Sequence, residues 1–149
     1  MGRLSEILRA EGCSLVVRDS AGAITTYSST GVRDLEYLLD HQPERLRGAA
    51  IADKVIGKAA AGMAIYGGVT DIYAEVMSRK ALPMLQSSGV RFGFGLLVDR
   101  IVIPGDNGRC PLERIVEECT TPAEVVATLR QHFKEMQQRC TQQQQHQNK

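Results

Sequence analysis

Apolar positions recur at two different spacings along this chain, and each change of spacing marks a boundary between elements. Residues 4–10 carry a short amphipathic helical pattern that Gly12 ends. Ser14-Leu15-Val16-Val17-Arg18 is a β-rich run, and Ile24-Thr25-Thr26-Tyr27 is a second one beyond Asp19-Ser20-Ala21-Gly22. Two such runs around a Gly- and Asp-containing turn predict a hairpin. Val32, Leu35, Leu38 and Leu39 return to helical spacing, which predicts a helix over 31–40 that Pro43 stops.

Residues 49–66 read as one helix by composition. An apolar stripe runs through Ile51, Val55, Ala59, Gly62 and Met63, while Gly57, Ala60 and Ala64 occupy the opposite side. A helix that is apolar or small all round is buried on every side. Its charges, Asp53, Lys54 and Lys58, all fall in the N-terminal half, and Gly67-Gly68 ends it.

Asp71 to Val76 predicts a strand, and Ser78 is placed to cap a helix that reaches Ser88, with Gly89 just past its end. Pro83 predicts a kink or a late start there. Val90 to Val98 predicts one or two strands broken by Gly93 and Gly95, followed by a surface loop over 104–108. Cys110-Pro111-Leu112-Glu113 opens a helix, with Pro at the first helical position and Glu at the third. Thr121-Pro122-Ala123-Glu124 repeats that signal for a last helix to about Arg139, and a glutamine-rich tail follows. A hairpin followed by a strand–helix–strand unit predicts a mixed sheet between two helix layers, an α/β/α sandwich.

Composition narrows the function. The chain has 149 residues, a length that suits one domain. Eighteen Lys and Arg against seventeen Asp and Glu leave a formal charge of +1. That balance speaks against a whole-chain electrostatic binder of nucleic acid or membrane. No apolar run approaches the roughly 20 residues that span a bilayer, and the first residues lack a signal-peptide pattern, so a cytoplasmic location is expected.

Cys13, Cys110, Cys119 and Cys140 lie far apart, as do His41, His132 and His146. Zinc sites need several donors at short spacing, so neither a metal site nor a cofactor is expected. The Gly105–Gly108 stretch lacks the alternating oxygen ligands of an EF-hand. Gly93, Gly95 and Gly105 form no dinucleotide fingerprint.

Two places offer chemistry. Read on one helix, Lys54 and Lys58 are four residues apart and share a stripe. Cations on a buried helix must reach solvent, pair with carboxylates or face a ligand, and a helix N-terminus favours an anion. The plain alternative is a solvent-exposed edge on which Asp53 caps or pairs with the lysines. Cys110 is the second place: as an N-cap its sulfur would sit over the positive end of a helix beside Arg109, which favours thiolate. Its plain alternative is a structural cysteine in a tight turn.

Ala52-Asp53-Lys54-Val55-Ile56-Gly57-Lys58-Ala59-Ala60-Ala61, Tyr66-Gly67-Gly68-Val69, Tyr73-Ala74-Glu75-Val76-Met77-Ser78 and Cys110-Pro111-Leu112-Glu113 occur in this order. The set resembles a small bacterial family of unknown function with a cytidine-deaminase-like fold, over roughly residues 4–119. That resemblance implies a mixed sheet of about five strands around a central helix. The wider deaminase superfamily starts that helix with His-Ala-Glu and leads a strand into Pro-Cys-x-x-Cys, residues that hold zinc and shuttle a proton. Here those positions would fall around Ala52-Asp53-Lys54 and around Met77-Ser78-Arg79 to Leu82, which contain no histidine, glutamate or cysteine. The resemblance therefore implies the fold without the zinc site. It also brings the helix start to face Ser78.

The resulting domain assignment is a deaminase-like α/β domain over 1–121, a helix over 122–140 packed on or extending from it, and a flexible tail over 141–149. The leading functional expectation is a zinc-free protein that binds a small anionic or nucleotide-like ligand through Asp53, Lys54, Lys58, Ser78 and Cys110. A second is an enzyme using Asp53 or Lys54 as acid or base and Cys110 as nucleophile. A third is a non-catalytic assembly module that forms homo-oligomers through sheet edges or through Val125, Val126 and Leu129.

Overall fold

A computed structural model describes residues 2–29, 32–101 and 111–147. The hairpin forms as the pattern predicts: β1 (Leu15–Arg18) and β2 (Ile24–Tyr27) are antiparallel, with Leu15 opposite Tyr27. Asp19 shapes its turn, since Oδ1 accepts the N–H groups of Ala21 at 3.0 Å and Ala23 at 2.9 Å.

The reading of 49–66 as a single helix is corrected. Residues 50–56 are a strand, β3 (Ala50–Ile56), and only the second half is helical, as α3 (Lys58–Tyr66). Gly57 divides them in an extended conformation, with φ −101° and ψ −172°. β3 is the middle strand of the sheet and is covered on both faces. Such strands lose the alternation that distinguishes them from buried helices, because both sets of side chains are apolar.

The five-stranded sheet runs β2-β1-β3-β4-β5, with β4 (Asp71–Ser78) and β5 (Arg91–Val98) parallel to β3 and β1 antiparallel to its neighbours. Val16, Ala50 and Ala52 face α1 (Gly2–Glu11), whose Leu4 and Leu8 close a small core with Cys13. Leu15, Val17, Ile51 and Ile72 face the larger core. That side is covered by α2 (Arg33–His41), α3, α4 (Leu82–Ser88), α5 (Pro111–Ile115) and α6 (Pro122–Gln147). Helices therefore lie on both faces of the sheet, as predicted.

Pairing lapses at one level across three strands. It passes from Asp53 opposite Ala74 to Val55 opposite Val76, and from Ala74 opposite Phe94 to Val76 opposite Leu96. Lys54, Glu75 and Gly95 are passed over. Beyond this level the core is carried by Ile56, Met77 and Leu97. Gly95 is tightly held here, because an added Cβ would lie 3.0 Å from the Glu75 carbonyl oxygen.

Helix ends follow their signals. Ser78 ends β4 and caps a short 3-10 turn, Arg79–Ala81, so α4 starts late, with Pro83 in its first turn. Gly89 closes it at φ +77°. Residues 90–98 hold one strand rather than two. The last helix continues through Gln147 instead of ending near Arg139. Glutamine is a good helix former and needs no docking face to extend a helix already nucleated. Val125, Val126 and Leu129 are buried in the chain's own core, so they are not a free dimerisation stripe. Among the described residues no helix is long and apolar enough to cross a membrane.

Candidate functional site

The carboxyl ends of β3, β4 and β5 lie side by side, with Ile56 beside Met77 and Ser78 beside Val98. Open α/β sheets bind ligands at this edge, because each strand hands over to a loop or helix there. β3 hands over to α3 through Gly57. The first intrahelical bond of α3 joins the Ala61 N–H to the Gly57 carbonyl at 2.9 Å. The amides of Lys58, Ala59 and Ala60 consequently have no carbonyl within the helix to bond, and Gly57 has no side chain with which to cap them. They concentrate partial positive charge at the edge of the sheet.

Glu113 of α5 sits against this helix start and is only 5% exposed. Its Oε2 accepts the N–H of Ile101 at 3.1 Å, whereas its Oε1 is shut off from solvent and has no hydrogen-bond partner among the described residues. Gly57 makes the approach possible: a Cβ there would stand 2.9 Å from Glu113 Oε1 and 2.6 Å from Ile101 Cδ1. Gly57→Ala is therefore expected to push both side chains aside and cost about 1–3 kcal/mol. Urea unfolding of the variant checks this, and an unchanged midpoint would mean that Glu113 and Ile101 yield freely.

Two lysines reach Glu117, in the turn that follows α5. Lys58 Nζ donates to the Glu117 carbonyl oxygen at 2.8 Å, and Lys80 Nζ lies 3.7 Å from Glu117 Oε1. Ser78 is fully buried, and its hydroxyl oxygen accepts the Lys80 N–H at 3.2 Å. Arg79 Nε pairs with Asp99 Oδ1 at 2.9 Å on the exposed rim. Donors, cations and one buried carboxylate thus converge at the start of α3.

Of the residues singled out in the sequence, Lys58 and Ser78 stand at this edge. Asp53 and Lys54 do not reach it. They lie on β3, and the four residues from Asp53 to Gly57 span about 13 Å of strand. Nor do Lys54 and Lys58 share a helical stripe, since one is on a strand and the other opens a helix.

Lys54 is exposed on the α1 side, where its charge works against the rise that burial imposes on the Cys13 thiol pKa. Asp53 points the other way and is 8% exposed, with Oδ1 accepting the Val55 N–H at 3.3 Å. Burial pushes its carboxyl up to about 7, against the amides of Val55 and Lys54 and with help from the Asp34 carboxylate. Cys110 lies outside the described residues.

Glu113, Lys80 and Gly57 were not singled out as site residues by the sequence. Glu113 reads there as an ordinary helix-start glutamate. The available signal was its position three residues before Val116, which put a carboxylate on the apolar face of α5. A cleft of about 440 Å3 lies at the opposite end of the sheet, lined by Ile65, Val69, Thr70, Val90 and Arg91. Its one charged group is already held, since Arg91 Nε pairs with Asp71 Oδ1 at 2.7 Å.

Zinc, which the deaminase resemblance raises, meets no histidine or cysteine at the end of β3 or β4 among the described residues. The start of α3 is Gly57-Lys58-Ala59 and the end of β4 continues as Ser78-Arg79-Lys80-Ala81-Leu82. Among the described residues no three His, Cys, Asp or Glu side chains gather as a metal site.

Comparison with known proteins places the chain. It matches the profile of a domain of unknown function, DUF1893, over residues 3–133, which extends into α6 and beyond the 4–119 stretch that the motifs carried. The crystal structure of TM1506, a DUF1893 family protein from Thermotoga maritima, is similar at a TM-score of 0.79. The two share 23% identity over 89% of this chain and 88% of that one, a likeness of fold. No curated protein matches.

Proposed function

This chain belongs to the DUF1893 family, and on that footing we propose a zinc-free, cytidine-deaminase-like protein of the cytoplasm. It binds a small anionic or nucleotide-like ligand at the N-terminus of α3. Support for the finer fold comes from the β2-β1-β3-β4-β5 order and from a buried helix set between β3 and β4. With α3 starting at Lys58, the superfamily's zinc-site positions move from Ala52-Asp53-Lys54 to Gly57-Lys58-Ala59.

One observation carries the ligand reading. α3 starts without a side-chain cap, and Glu113, whose buried Oε1 has no partner among the described residues, packs beside Gly57 at the same sheet edge. Buried polar groups are almost always satisfied, so a pair of opposite hydrogen-bonding character left open together favours a missing third component. The ligand set is then Lys58, Ser78, Lys80, Glu113 and the first amides of α3. Cys110, outside the described residues, stays a candidate on the sequence alone, and Asp53 and Lys54 lie back along β3.

Titration calorimetry with nucleoside monophosphates tests this. The Lys58→Met, Lys80→Met double variant is expected to lose about tenfold or more in affinity, equivalent to about 1.4 kcal/mol. A folded double variant with unchanged affinity sinks the reading.

A second reading rests on Asp53, whose carboxyl pKa of about 7 suits a group that carries a proton near neutral pH. In that case the chain is an enzyme with acid–base or thiol chemistry through Asp53 and Cys110. Iodoacetamide labelling against pH decides the thiol part: a Cys110 pKa at or above about 8.5 removes the nucleophile.

A further inference from the structure

We propose that the open part of the sheet's α1 side is a two-fold interface with a second copy of this chain. Val55, Val76 and Leu96 close it, and Lys54 and Glu75 pair across it. This is independent of the ligand reading at the start of α3.

β3, β4 and β5 are parallel, and parallel strands are ordinarily covered on both faces. Here the core side carries five helices, whereas among the described residues the opposite side has α1 alone. α1 packs on β1 and β3, where its Leu4 and Leu8 meet Ala50 and Ala52. Tyr73 extends that cover toward β5. An added Cβ would lie 3.9 Å from its Cδ2 at Gly93 and 3.3 Å from its hydroxyl at Gly95. The cover ends there.

The lapse in pairing decides what lies beyond it. Ala74 and Met77 both face the larger core, so Glu75 and Val76 between them both fall on the α1 side. Lys54 with Val55, and Gly95 with Leu96, follow in register on the neighbouring strands. Val55, Val76 and Leu96 therefore form an apolar row across three strands, with Val55 42% and Leu96 58% exposed. An exposed apolar row that reaches an edge strand invites a partner.

Charge identifies that partner as the same surface on another copy. Lys54 and Glu75 stand at one level on adjacent strands beside the row. Lys54 is exposed, and its side chain has no ion pair or hydrogen bond among the described residues. Glu75 is 31% exposed, and its ion pair with Arg9, 3.9 Å from Nε to Oε1, is too long for a hydrogen bond. Arg9 is instead bonded to the carbonyl and hydroxyl oxygens of Ser5, each at 3.3 Å. A two-fold axis turns such a surface onto itself, so that Lys54 of each copy faces Glu75 of the other. Unlike charges beside an apolar centre are thus matched twice by one contact.

The test is sedimentation equilibrium of the full chain, which is expected to show a dimer at about 100 μM that dissociates on dilution. Leu96→Asp should weaken the dimer by about tenfold or more, with circular dichroism confirming the fold. Lys54→Glu and Glu75→Lys each set like charges across the axis, and each alone should dimerise more weakly than wild type. Mixed in equal amounts, the two should form a mixed dimer in preference to either homodimer by about tenfold or more, because both cross-axis pairs are restored. Native mass spectrometry reads that ratio. Mixing leaves each chain's own structure unchanged, so only contact between copies gives this result.

A wild-type monomer at the highest concentration overturns the proposal. Loss of stability in Leu96→Asp would then assign the row to the chain's own residues 102–110, and unchanged stability would assign it to a different protein. A dimer that Leu96→Asp leaves intact overturns it as well, by moving the interface elsewhere. So does a random mixture of the two charge variants. The wild-type mass and Leu96→Asp need neither charge variant, so they decide even if Glu75→Lys does not fold.

Discussion

Asp53→Asn is expected to stabilise the protein by about 2–4 kcal/mol at pH 8 and to leave it nearly unchanged at pH 4. Asp53 is buried in the middle of the central strand, with its carboxyl raised to about 7 from an ordinary value of 3.8. Because the folded value lies above the unfolded one, folding takes up a proton between them. Stability from this group is whole below about pH 4 and falls as pH rises through 7. A shift of about three units corresponds to about 4 kcal/mol, at 1.36 kcal/mol for each unit.

Asparagine keeps an oxygen for the Val55 N–H, now bonded at 3.3 Å, but cannot ionise. Urea unfolding of both proteins at pH 4, 6 and 8 measures the effect as a difference, so other titrating groups cancel. A difference that stays flat across that range would mean that the charged carboxylate is satisfied in the fold.

Much of the architecture is legible in the sequence because turn and cap chemistry is local. Asp19 and Gly22 mark the hairpin, Ser78 and Gly89 bracket α4, and Thr121-Pro122 starts α6 where the structure has it. The failure at 49–66 has a specific cause. Ala50, Ile51 and Ala52 are all buried, on opposite faces of one strand, so the hydrophobic pattern holds no period. Alanine-rich composition then favours a helix reading, and only Gly57 hints at the break. Pairing with β1 on one side and β4 on the other overrides local preference.

That one error moved half of the candidate site. Lys58 and Ser78 are placed by the end of β3 and the end of β4, and both keep their position when the helix start is shifted to Gly57. Asp53 and Lys54 were drawn in because a single helix would have put them in its N-terminal half. Glu113 was hidden for the opposite reason: its role depends on α5 docking against α3, a contact between residues more than fifty apart. No local signal carries such a contact, apart from the apolar neighbours that bury it.

Gly62→Leu is expected to be the most disruptive single substitution in the helical layer, at about 3 kcal/mol or more. α3 is buried through Ala59, Ala60, Ala61, Gly62, Met63 and Ala64, with the sheet on one side and α6 on the other. A Cβ at Gly62 would lie 2.7 Å from Val125 Cγ1, 2.8 Å from its Cβ and 3.0 Å from its Cγ2. Val125 is β-branched on a helix and has almost no other rotamer to adopt, so it cannot swing away. Gly62→Ala gains about 1 kcal/mol of helix propensity and sets it against overpacking of about 1–3 kcal/mol, which leaves a small loss. Gly62→Leu has no such offset and must drive α6 off α3.

Pairing the change with Val125→Ala separates close packing from backbone effects. In Gly62→Ala, Val125→Ala the two sites should couple, with the double variant less destabilised than the sum of the singles by about 1 kcal/mol. Additive losses would mean that the tight approach of the helices is not what Gly62 provides. Coupling would tie the position of α3, and with it the placement of its N-terminal amides, to the seating of α6.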